Sequence, residues 1–293
     1  MQVGICLPYA EPELDRSRLI DWCRRVDAGP FSSLASGERI IGESREMTSL
    51  LAAAAVLTER VRIVPSLYVL PLHSAVWAAK AIATLDIFSG GRVSVTVGVG
   101  GREADYLAVG APFERRHARM DEQVATLRRV WRGEPGFEGA PAVGPLPVQP
   151  GGPPILAGSM AAKPLARAAR WADGVYAWSR NANRDEMKGH FDRSVAAWQK
   201  AGRETRPRQV GGFWYSLADD AATRLQEYVF EYVRGVGDDA ARMIASLMDR
   251  ASPDAVLEGL DAMEEAGCDE VFLVPATADI EEVERAAEII AAR

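Results

Sequence analysis

Residues 83–101 read Ala-Thr-Leu-Asp-Ile-Phe-Ser-Gly-Gly-Arg-Val-Ser-Val-Thr-Val-Gly-Val-Gly-Gly, and this stretch decides the fold. Its first part predicts the end of a helix and a two-glycine turn, and 93–99 predicts a strand. Valines there alternate with small residues, a pattern typical of the buried strands of a parallel sheet. Gly98, Gly100 and Gly101 lie at the carboxyl end of that strand, where α/β enzymes bind ligands. We therefore expect a flat ring or a phosphate to approach the bare main chain there.

These glycines do not form the fingerprint of a dinucleotide-binding fold. That fingerprint is G-x-G-x-x-G, and counted from Gly98 its third glycine position is occupied by Glu103. A nicotinamide dinucleotide site of this type is therefore excluded.

The composition limits the class of protein. The chain has 293 residues, 48% of them hydrophobic, which suits one barrel-sized domain. With 41 acidic and 34 basic residues, the net charge of -7 predicts no nucleic-acid surface. No membrane span and no secretion signal are predicted, because no apolar run is long enough and the first residues lack a basic segment. Three cysteines without metal-ligand spacing indicate a reducing cytoplasm, with no disulfide framework and no metal site: Cys6, Cys23 and Cys268.

Stretches with β character alternate along the chain with amphipathic or alanine-rich helical stretches. Eight strand-helix units predict an α/β fold, a (β/α)8 TIM barrel. The predicted strands are 3–7, 31–36, 61–69, 93–99, 154–157, 174–178, 209–216 and 270–274. The predicted helices are 13–27, 47–59, 74–88, 115–132, 160–172, 184–201, a long region 219–266, and 280–292.

Two insertions interrupt this plan. Residues 133–153 are too rich in Pro and Gly for a helix and form a long connection. A domain linker is rejected, because neither half of the chain would have enough strands to close a sheet. Residues 219–251 predict two extra helices. We expect one domain over 1–293, with the insertions at the carboxyl-terminal face, which carries the active site of such barrels.

From about Thr48 to Trp178, the chain resembles the luciferase-like, flavin-dependent monooxygenases and oxidoreductases, especially their deazaflavin (coenzyme F-420) branch. Each matching motif is weak alone, and together they are specific. The motifs are Leu-Leu-Ala-Ala-Ala-Ala-Val-Leu-Thr-Glu-Arg-Val-Arg-Ile (50–63), Ala-Lys-Ala-Ile-Ala-Thr-Leu-Asp-Ile-Phe-Ser-Gly-Gly-Arg-Val (79–93), Gly-Val-Gly (98–100), Phe113 to Arg116, Asp121-Glu122, Leu127 to Trp131, and Trp171 to Gly174.

The resemblance implies a flavin at the carboxyl ends of the strands. In the family, a bulge with a non-prolyl cis peptide on strand three supports the flavin ring. In this chain, the alternative to such a bulge is a simple strand kink at Pro65-Ser66. Trp178 ends strand six and Tyr9 follows strand one, so both are placed to line the pocket. The implied ring-binding positions are Ser66, Leu67, Tyr68, Gly98, Val99, Gly100, Gly101 and Trp178.

A phosphate site is predicted after the fifth strand. Free N–H groups and the positive end of the following helix suit a phosphate. Ser159 fits this role, and it fits an ordinary helix N-cap equally well. Lys163, one turn into the helix, could assist or be solvated. The predicted phosphate-binding residues are Ala157, Gly158, Ser159 and Met160.

Three side chains are candidates for proton chemistry. Glu103 corresponds by position to an acid that faces the deazaflavin ring in some family members, although a helix cap or ion pair explains it as well. Related sugar-phosphate dehydrogenases have an Asp-His pair after strand two, where this chain has Ser36-Gly37-Glu38-Arg39, so no histidine base is expected there. Glu38 is placed to contact substrate or to form a surface ion pair. His73, just past strand three, is either catalytic or structural.

The resemblance implies an oxidoreductase. It transfers a hydride, or inserts oxygen, on a small organic substrate with reduced F-420, slightly favoured, or FMN. A non-catalytic flavin-binding barrel or partner subunit is the alternative. A barrel for phosphorylated metabolites would need a Lys or Glu at a strand end, and neither Lys80 nor Lys163 is placed at one. A homodimer is expected from the family.

Overall fold

The computed structural model describes residues 1–293 and contains a closed barrel of eight parallel strands. Each strand pairs with the next, and the last closes on the first with Val271 opposite Val3. The predicted TIM barrel is confirmed. The strands are β1 Gln2–Cys6, β2 Ser33–Ser36, β3 Arg62–Val69, β4 Val95–Gly98, β5 Ile155–Gly158, β6 Gly174–Trp178, β7 Arg208–Tyr215 and β8 Glu270–Pro275.

Helices cover the outside of the barrel, and three of them are additional to the repeating plan. A short helix, α4, follows β4, and α8 and α9 follow β7. None of the helices has both the length and the apolarity needed to cross a membrane. The helices are α1 Arg16–Ala28, α2 Met47–Leu57, α3 Ala75–Phe88, α4 Glu103–Ala108, α5 Arg116–Trp131, α6 Ala162–Ala168, α7 Arg184–Lys200, α8 Ala221–Val233, α9 Asp238–Ser246, α10 Pro253–Glu265 and α11 Glu281–Ala292.

The alternating valines in β4 and just before it pack between the barrel and its helices. Val93, Val95 and Val97 are buried in the large core cluster between strands and helices. The strand is shorter than predicted, because regular pairing with β5 begins only at Val95, opposite Ile155. Residues 153–154 just before β5 are both proline and have no N–H to extend the ladder.

Only one of the two insertions lies at the carboxyl end. Residues 219–251 form α8 and α9, the two predicted helices, and their apolar side chains pack on residues of the barrel interior. The 133–153 connection lies instead at the amino end, where the Gln149 Nε2 donates to the Val93 carbonyl over 2.8 Å. A helix-to-strand connection must return the chain to the start of the next strand, which is the reason for its position.

The amino end of the barrel is held by one buried carboxylate. Glu270, 3% exposed, begins β8. Its Oε1 accepts from the hydroxyls of Ser32 and Ser33 and from Arg62 Nη2 at 2.6 Å, and its Oε2 accepts from Arg208 Nη2 at 2.6 Å. Donors from β2, β3 and β7 and from the residue before β2 thus meet on one side chain, which ties together strands far apart in sequence.

Candidate active site

A cavity of about 290 Å³, here called the inner cavity, lies at the carboxyl ends of the strands. Most of its lining is apolar or aromatic, the composition expected of a small-molecule site. Its charged side chains come from the loop after β2 and from the segment after β4 that includes α4, and they are Glu38, Arg39, Arg102 and Asp105. Five residues predicted to bind the cofactor ring line this cavity: Ser66, Leu67, Gly100, Gly101 and Trp178.

A second cavity of about 170 Å³, the side cavity, lies between the end of β4, α5 and the β5–α6 loop. Leu67 lines the inner cavity, and Gly158 lines the side cavity. A Cβ on Gly158 would be only 2.3 Å from Leu67 Cδ2, so Leu67 lies at the boundary of the two cavities. Most residues of the two predicted groups thus lie at adjoining cavities, but Val99, predicted with the ring-binding residues, lines the side cavity instead. The predicted residues in the side cavity are Val99, Ala157, Gly158, Ser159 and Met160.

Ser159 is buried in the side cavity, and its Oγ has no hydrogen-bond partner in the protein. The alternative role as a helix N-cap does not hold, because α6 begins at Ala162 and its N-cap is Ala161. A buried hydroxyl normally finds a partner, so one without a partner beside a cavity indicates a place for a ligand. Lys163 is exposed and does not line the cavity.

Two basic side chains of the side cavity were not assigned by sequence reasoning. Arg167 donates to Asp121 Oδ2 through Nε at 2.8 Å and Nη2 at 2.6 Å. Burial, together with the positive charges of Arg116 and Arg167, lowers the pKa of His117. His117 directly follows the Phe113 to Arg116 motif, but nothing in that local pattern indicated that it would line the same cavity as Ser159.

The glycines after β4 are mostly covered by side chains of β3. A Cβ on Gly98 would lie 3.0 Å from Leu67 Cδ1, and a Cβ on Gly100, at φ +61°, would lie 2.9 Å from Val69 Cγ1. Only Gly101 is open, because a Cβ on this residue would meet nothing within 4 Å. The expectation that all three glycines expose bare main chain to a ligand is corrected: Gly98 accommodates Leu67 and does not line either cavity.

Strand β3 carries the bulge that the resemblance implies. The peptide bond between Ser66 and Leu67 is cis, and pairing with β4 shifts register between Ser66 and Tyr68. Leu67 therefore projects toward the cavities. Tyr68, predicted to contact the cofactor, is instead 2% exposed, and its ring packs edge-on against His73 with centroids 4.7 Å apart. The bulge brings both Ser66 and Leu67 to the inner cavity, so that Tyr68 falls on the other side of the strand, which is the reason for this difference.

Glu38 and His73 form a pair at the wall of the inner cavity. The His73 Nε2 lies 2.6 Å from Glu38 Oε1, and Glu38 Oε2 accepts from the Val69 N–H at 2.7 Å. The Glu38 side chain is 5% exposed, so this is not a surface ion pair. The Gln123 Nε2 donates to the His73 carbonyl over 2.7 Å and holds its backbone. We expected no histidine beside the loop after strand two. The structure corrects this expectation, because His73, from the loop after strand three, contacts Glu38.

Glu103 is the first residue of α4, is exposed, and lines neither cavity. A carboxylate in the first turn is favoured by the positive end of the helix dipole, but Glu103 forms neither the capping hydrogen bond nor the ion pair of the alternative interpretation. The acid that α4 presents to the inner cavity is Asp105, whose Oδ1 accepts from the Ile41 N–H at 2.9 Å. Tyr106 also lines the cavity, and its hydroxyl donates to the Val99 carbonyl.

Aromatic rings form the wall of the inner cavity opposite β3. Trp178 packs edge-on against Trp214 with centroids 4.6 Å apart, and the hydroxyls of Tyr9 and Tyr232 are 3.3 Å apart. The Trp178 Nε1 is buried without a hydrogen-bond partner in the protein. Burial raises the pKa of the Cys6 thiol at the cavity floor to about 12, so it stays protonated at neutral pH.

A third cavity of about 440 Å³, the vestibule, lies outside Tyr232 and shares Arg39 with the inner cavity. It is bordered by α8 and by the loops after β1 and β2. Burial raises the pKa of Glu11 to about 7, so this carboxyl group is partly protonated near neutral pH. No group of three or more His, Cys, Asp or Glu side chains is arranged to bind a metal.

Known proteins share this fold. The uncharacterized protein Rv0953c of Mycobacterium tuberculosis is 30% identical over 228 residues, 73% of this chain and 79% of that protein. An FMNH2-dependent dimethylsulfone monooxygenase of Pseudomonas putida is 25% identical over 72% of this chain and 55% of its own length. The coenzyme F-420-dependent tetrahydromethanopterin reductase of Methanopyrus kandleri superposes with a TM-score of 0.77 at 17% identity, over 100% of this chain and 99% of that chain.

The match extends over nearly the whole barrel. A model of the luciferase-like monooxygenase family covers residues 1–274, from the first strand to the last. Insertion helices α8 and α9, where the resemblance in sequence was weakest, lie within the matched range. The chain therefore belongs to the luciferase-like monooxygenase family of oxidoreductases.

Proposed function

We propose that this protein is a flavin-dependent oxidoreductase that transfers a hydride, or inserts oxygen, on a small organic substrate bound in the inner cavity. The observation that carries the proposal is Ser159, a buried hydroxyl without a partner in a small cavity that adjoins a larger aromatic one. A phosphorylated flavin-type cofactor has the two matching parts, a flat ring and a phosphate.

The residues present fit such a cofactor. Its ring would rest against Leu67 and the open main chain at Gly101, and its phosphate would accept from the Ser159 hydroxyl. The start of α6 adds positive potential beside the same serine, whereas the charge of Arg167 is balanced by Asp121, which lines the same cavity. Trp178 lines the inner cavity, and its unpaired Nε1 offers a second donor for the ring edge or the substrate.

When bound, a deazaflavin supplies hydride transfer, and reduced FMN activates oxygen. The chain itself supplies the exclusion of water by the aromatic wall and a group that exchanges protons. We assign the proton exchange to Glu38, whose carboxylate lines the inner cavity, and we assign His73 as the group that holds or returns that proton across their 2.6 Å contact. Glu103 has no part in this assignment because it lines neither cavity.

We propose coenzyme F-420 as the cofactor, with FMN as the second candidate. Hydride transfer to or from an alcohol or carbonyl needs a group that moves a proton, and the Glu38–His73 pair supports this choice. The FMNH2-dependent relative supports the alternative.

An absorbance titration of the purified apoprotein with F-420 and with FMN, each oxidised and reduced, tests the proposal. Binding of F-420, with a change of its absorbance that depends on substrate and no oxygen consumption, assigns hydride transfer. Binding of FMN with oxygen uptake stimulated by a substrate assigns a monooxygenase. If neither cofactor binds at micromolar concentration, the proposed function is wrong. Binding without any turnover supports the alternative, a non-catalytic barrel or partner subunit.

We propose that the protein is a homodimer. Two helices beside each other on the barrel, α2 and α3, expose the large apolar side chains of Val56 and Trp77, at 65% and 70% exposure. Burying such side chains against a second copy removes apolar surface from water. Light scattering after size-exclusion chromatography measures the mass directly, and Trp77→Glu should shift a dimer to the monomer of 31.7 kDa.

A further inference from the structure

Two arginines in the inner cavity have no carboxylate partner. Arg39 comes from the loop after β2 and Arg102 from the loop after β4, and both line the cavity. Neither forms an ion pair, and each makes a single hydrogen bond, to the Tyr232 carbonyl. Two positive charges thus meet at the inner cavity with only a neutral acceptor between them.

The Tyr232 carbonyl lies in the last turn of α8, at the negative end of the helix dipole. The guanidinium carbons of Arg39 and Arg102 lie 4.6 and 5.5 Å from the centroid of the Tyr232 ring. These contacts hold the two side chains toward the cavity. They leave most of the five N–H donors of each guanidinium free.

An arginine with only a structural role, elsewhere in the chain, has hydrogen-bond acceptors for all three of its guanidinium nitrogens. Arg92 makes five hydrogen bonds, all to backbone carbonyls or hydroxyls around the start of β4. Arg39, by contrast, has a buried Nε without an acceptor. Buried guanidinium nitrogens without an acceptor also occur at Arg62, Arg116, Arg119 and Arg129. Arg39 and Arg102 differ from these because they line the inner cavity and have no carboxylate partner there.

The acidic side chains of the inner cavity are already engaged. Both oxygens of Glu38 have partners, His73 and the Val69 N–H, and Asp105 accepts from Ile41. A complementary anion must therefore come from the bound molecule. The side cavity, where the cofactor phosphate is proposed, lies on the other side of Leu67, against β5 and α6.

We propose that Arg39 and Arg102 bind the carboxylate of an aromatic carboxylic acid, which is the substrate class of the inner cavity. The aromatic ring of the acid packs between Trp178, Trp214 and Tyr9, and its carboxylate accepts from the free guanidinium donors. This inference rests on the proposed function for the assignment of the inner cavity as the substrate site.

The test compares two probes of equal size, 2-naphthoate and its neutral analogue 2-naphthamide. Their dissociation constants are measured by calorimetry on the apoprotein and on protein loaded with F-420 or FMN. The variants are Arg39→Gln and Arg102→Gln. The matched control is Arg234→Gln, which loses the same charge from an exposed arginine just after α8 that pairs with Glu231 and Asp238.

We expect wild-type protein and the control to prefer naphthoate at least tenfold. In Arg39→Gln and in Arg102→Gln, the preference should fall below threefold, while naphthamide binding and cofactor binding change less than twofold. Equal binding of the two probes by wild-type protein, or no binding of either, overturns the inference without any variant. Loss of cofactor affinity in the variants also overturns it, because the arginines would then serve the cofactor. A failure of the proposed function appears separately, as absent cofactor binding.

Discussion

The two ends of the barrel differ in whether their buried polar groups have hydrogen-bond partners. At the amino end, the Glu270 carboxylate accepts from two hydroxyls and two guanidinium groups, and the Arg62 Nε is the one nitrogen of this network that is buried without an acceptor. At the carboxyl end, Ser159 Oγ, Trp178 Nε1 and Arg39 Nε are buried without a partner in the protein. The same eight strands reach both ends, so the difference lies in the side chains, the loops and the bulge of β3 at the carboxyl end.

The comparison separates buried polar groups that stabilise the fold from buried polar groups that are available to a ligand. A buried polar group without a partner costs free energy, and proteins rarely leave several of them close together. At the amino end, each donor on Glu270 links strands and contributes to the free energy of unfolding. At the carboxyl end, the missing partners are those that a cofactor and a substrate would supply. Substitutions at the two ends should therefore affect different measurements.

The largest effect is expected on turnover, from Glu38→Gln. Because this carboxyl group is assigned the proton exchange, kcat should fall by about 10²- to 10⁴-fold. The free energy of unfolding should change little, because the amide oxygen still accepts from the Val69 N–H. Stopped-flow turnover and urea unfolding measure the two quantities. A kcat within threefold of wild type would remove Glu38 from the mechanism.

Glu270→Ala should produce the largest loss of stability. Removing the carboxylate leaves Arg62 and Arg208 without their buried partner, so the free energy of unfolding should fall by about 3 kcal/mol. Cofactor affinity, measured on the remaining folded protein, should stay within twofold. A large loss of cofactor affinity at wild-type stability would contradict the separation of the two ends.

Two glycine substitutions at the carboxyl end form a matched pair. A methyl group on Gly158 would lie 2.3 Å from Leu67, so Gly158→Ala should cost about 1–3 kcal/mol of unfolding free energy. Gly101→Ala meets nothing within 4 Å, so stability should change by less than about 0.5 kcal/mol. Its methyl group would occupy space proposed for the cofactor ring, and cofactor affinity should fall about tenfold. Wild-type affinity in Gly101→Ala would argue against this ring position.

The smallest effect is expected from Glu11 in the vestibule. Burial raises its pKa in the folded protein to about 7, so between about pH 4.5 and 7 the unfolded chain binds fewer protons there than the folded chain. The contribution of this group to stability therefore decreases as the pH rises through that range. Glu11→Gln should flatten this part of the profile of unfolding free energy against pH. An unchanged profile would mean that Glu11 stays ionised.

Much of the fold could be predicted from local patterns. The alternating valines at 93–97 and the similar runs in the other strands indicate a barrel, because parallel strands must bury both faces. Ser159 was a candidate because a serine between a strand and a helix fits either a phosphate site, which stays a prediction, or a helix N-cap. The structure excludes the role of N-cap.

The remaining features depend on contacts that no local pattern contains. Glu38 and His73 meet across 35 positions of sequence, because the loops after β2 and β3 converge at the barrel mouth. The glycine-rich turn is covered by Leu67 only because β3 bulges toward it. The charged start of α4 indicated Glu103, but the turn of the helix presents Asp105 to the cavity.

The most direct test of the central claim is whether Ser159 recognises a phosphate. Dissociation constants are measured for FMN and riboflavin, and for F-420 and its phosphate-free deazariboflavin, with wild-type protein, Ser159→Ala and the exposed control Ser17→Ala. A hydrogen bond to a charged group contributes about 1.5–3 kcal/mol, so the phosphorylated form of the cofactor should bind at least tenfold more tightly than its ring alone. Ser159→Ala should lose most of this advantage, and Ser17→Ala should keep it. Equal binding with and without the phosphate in wild-type protein, or an unchanged advantage in Ser159→Ala, would contradict the account.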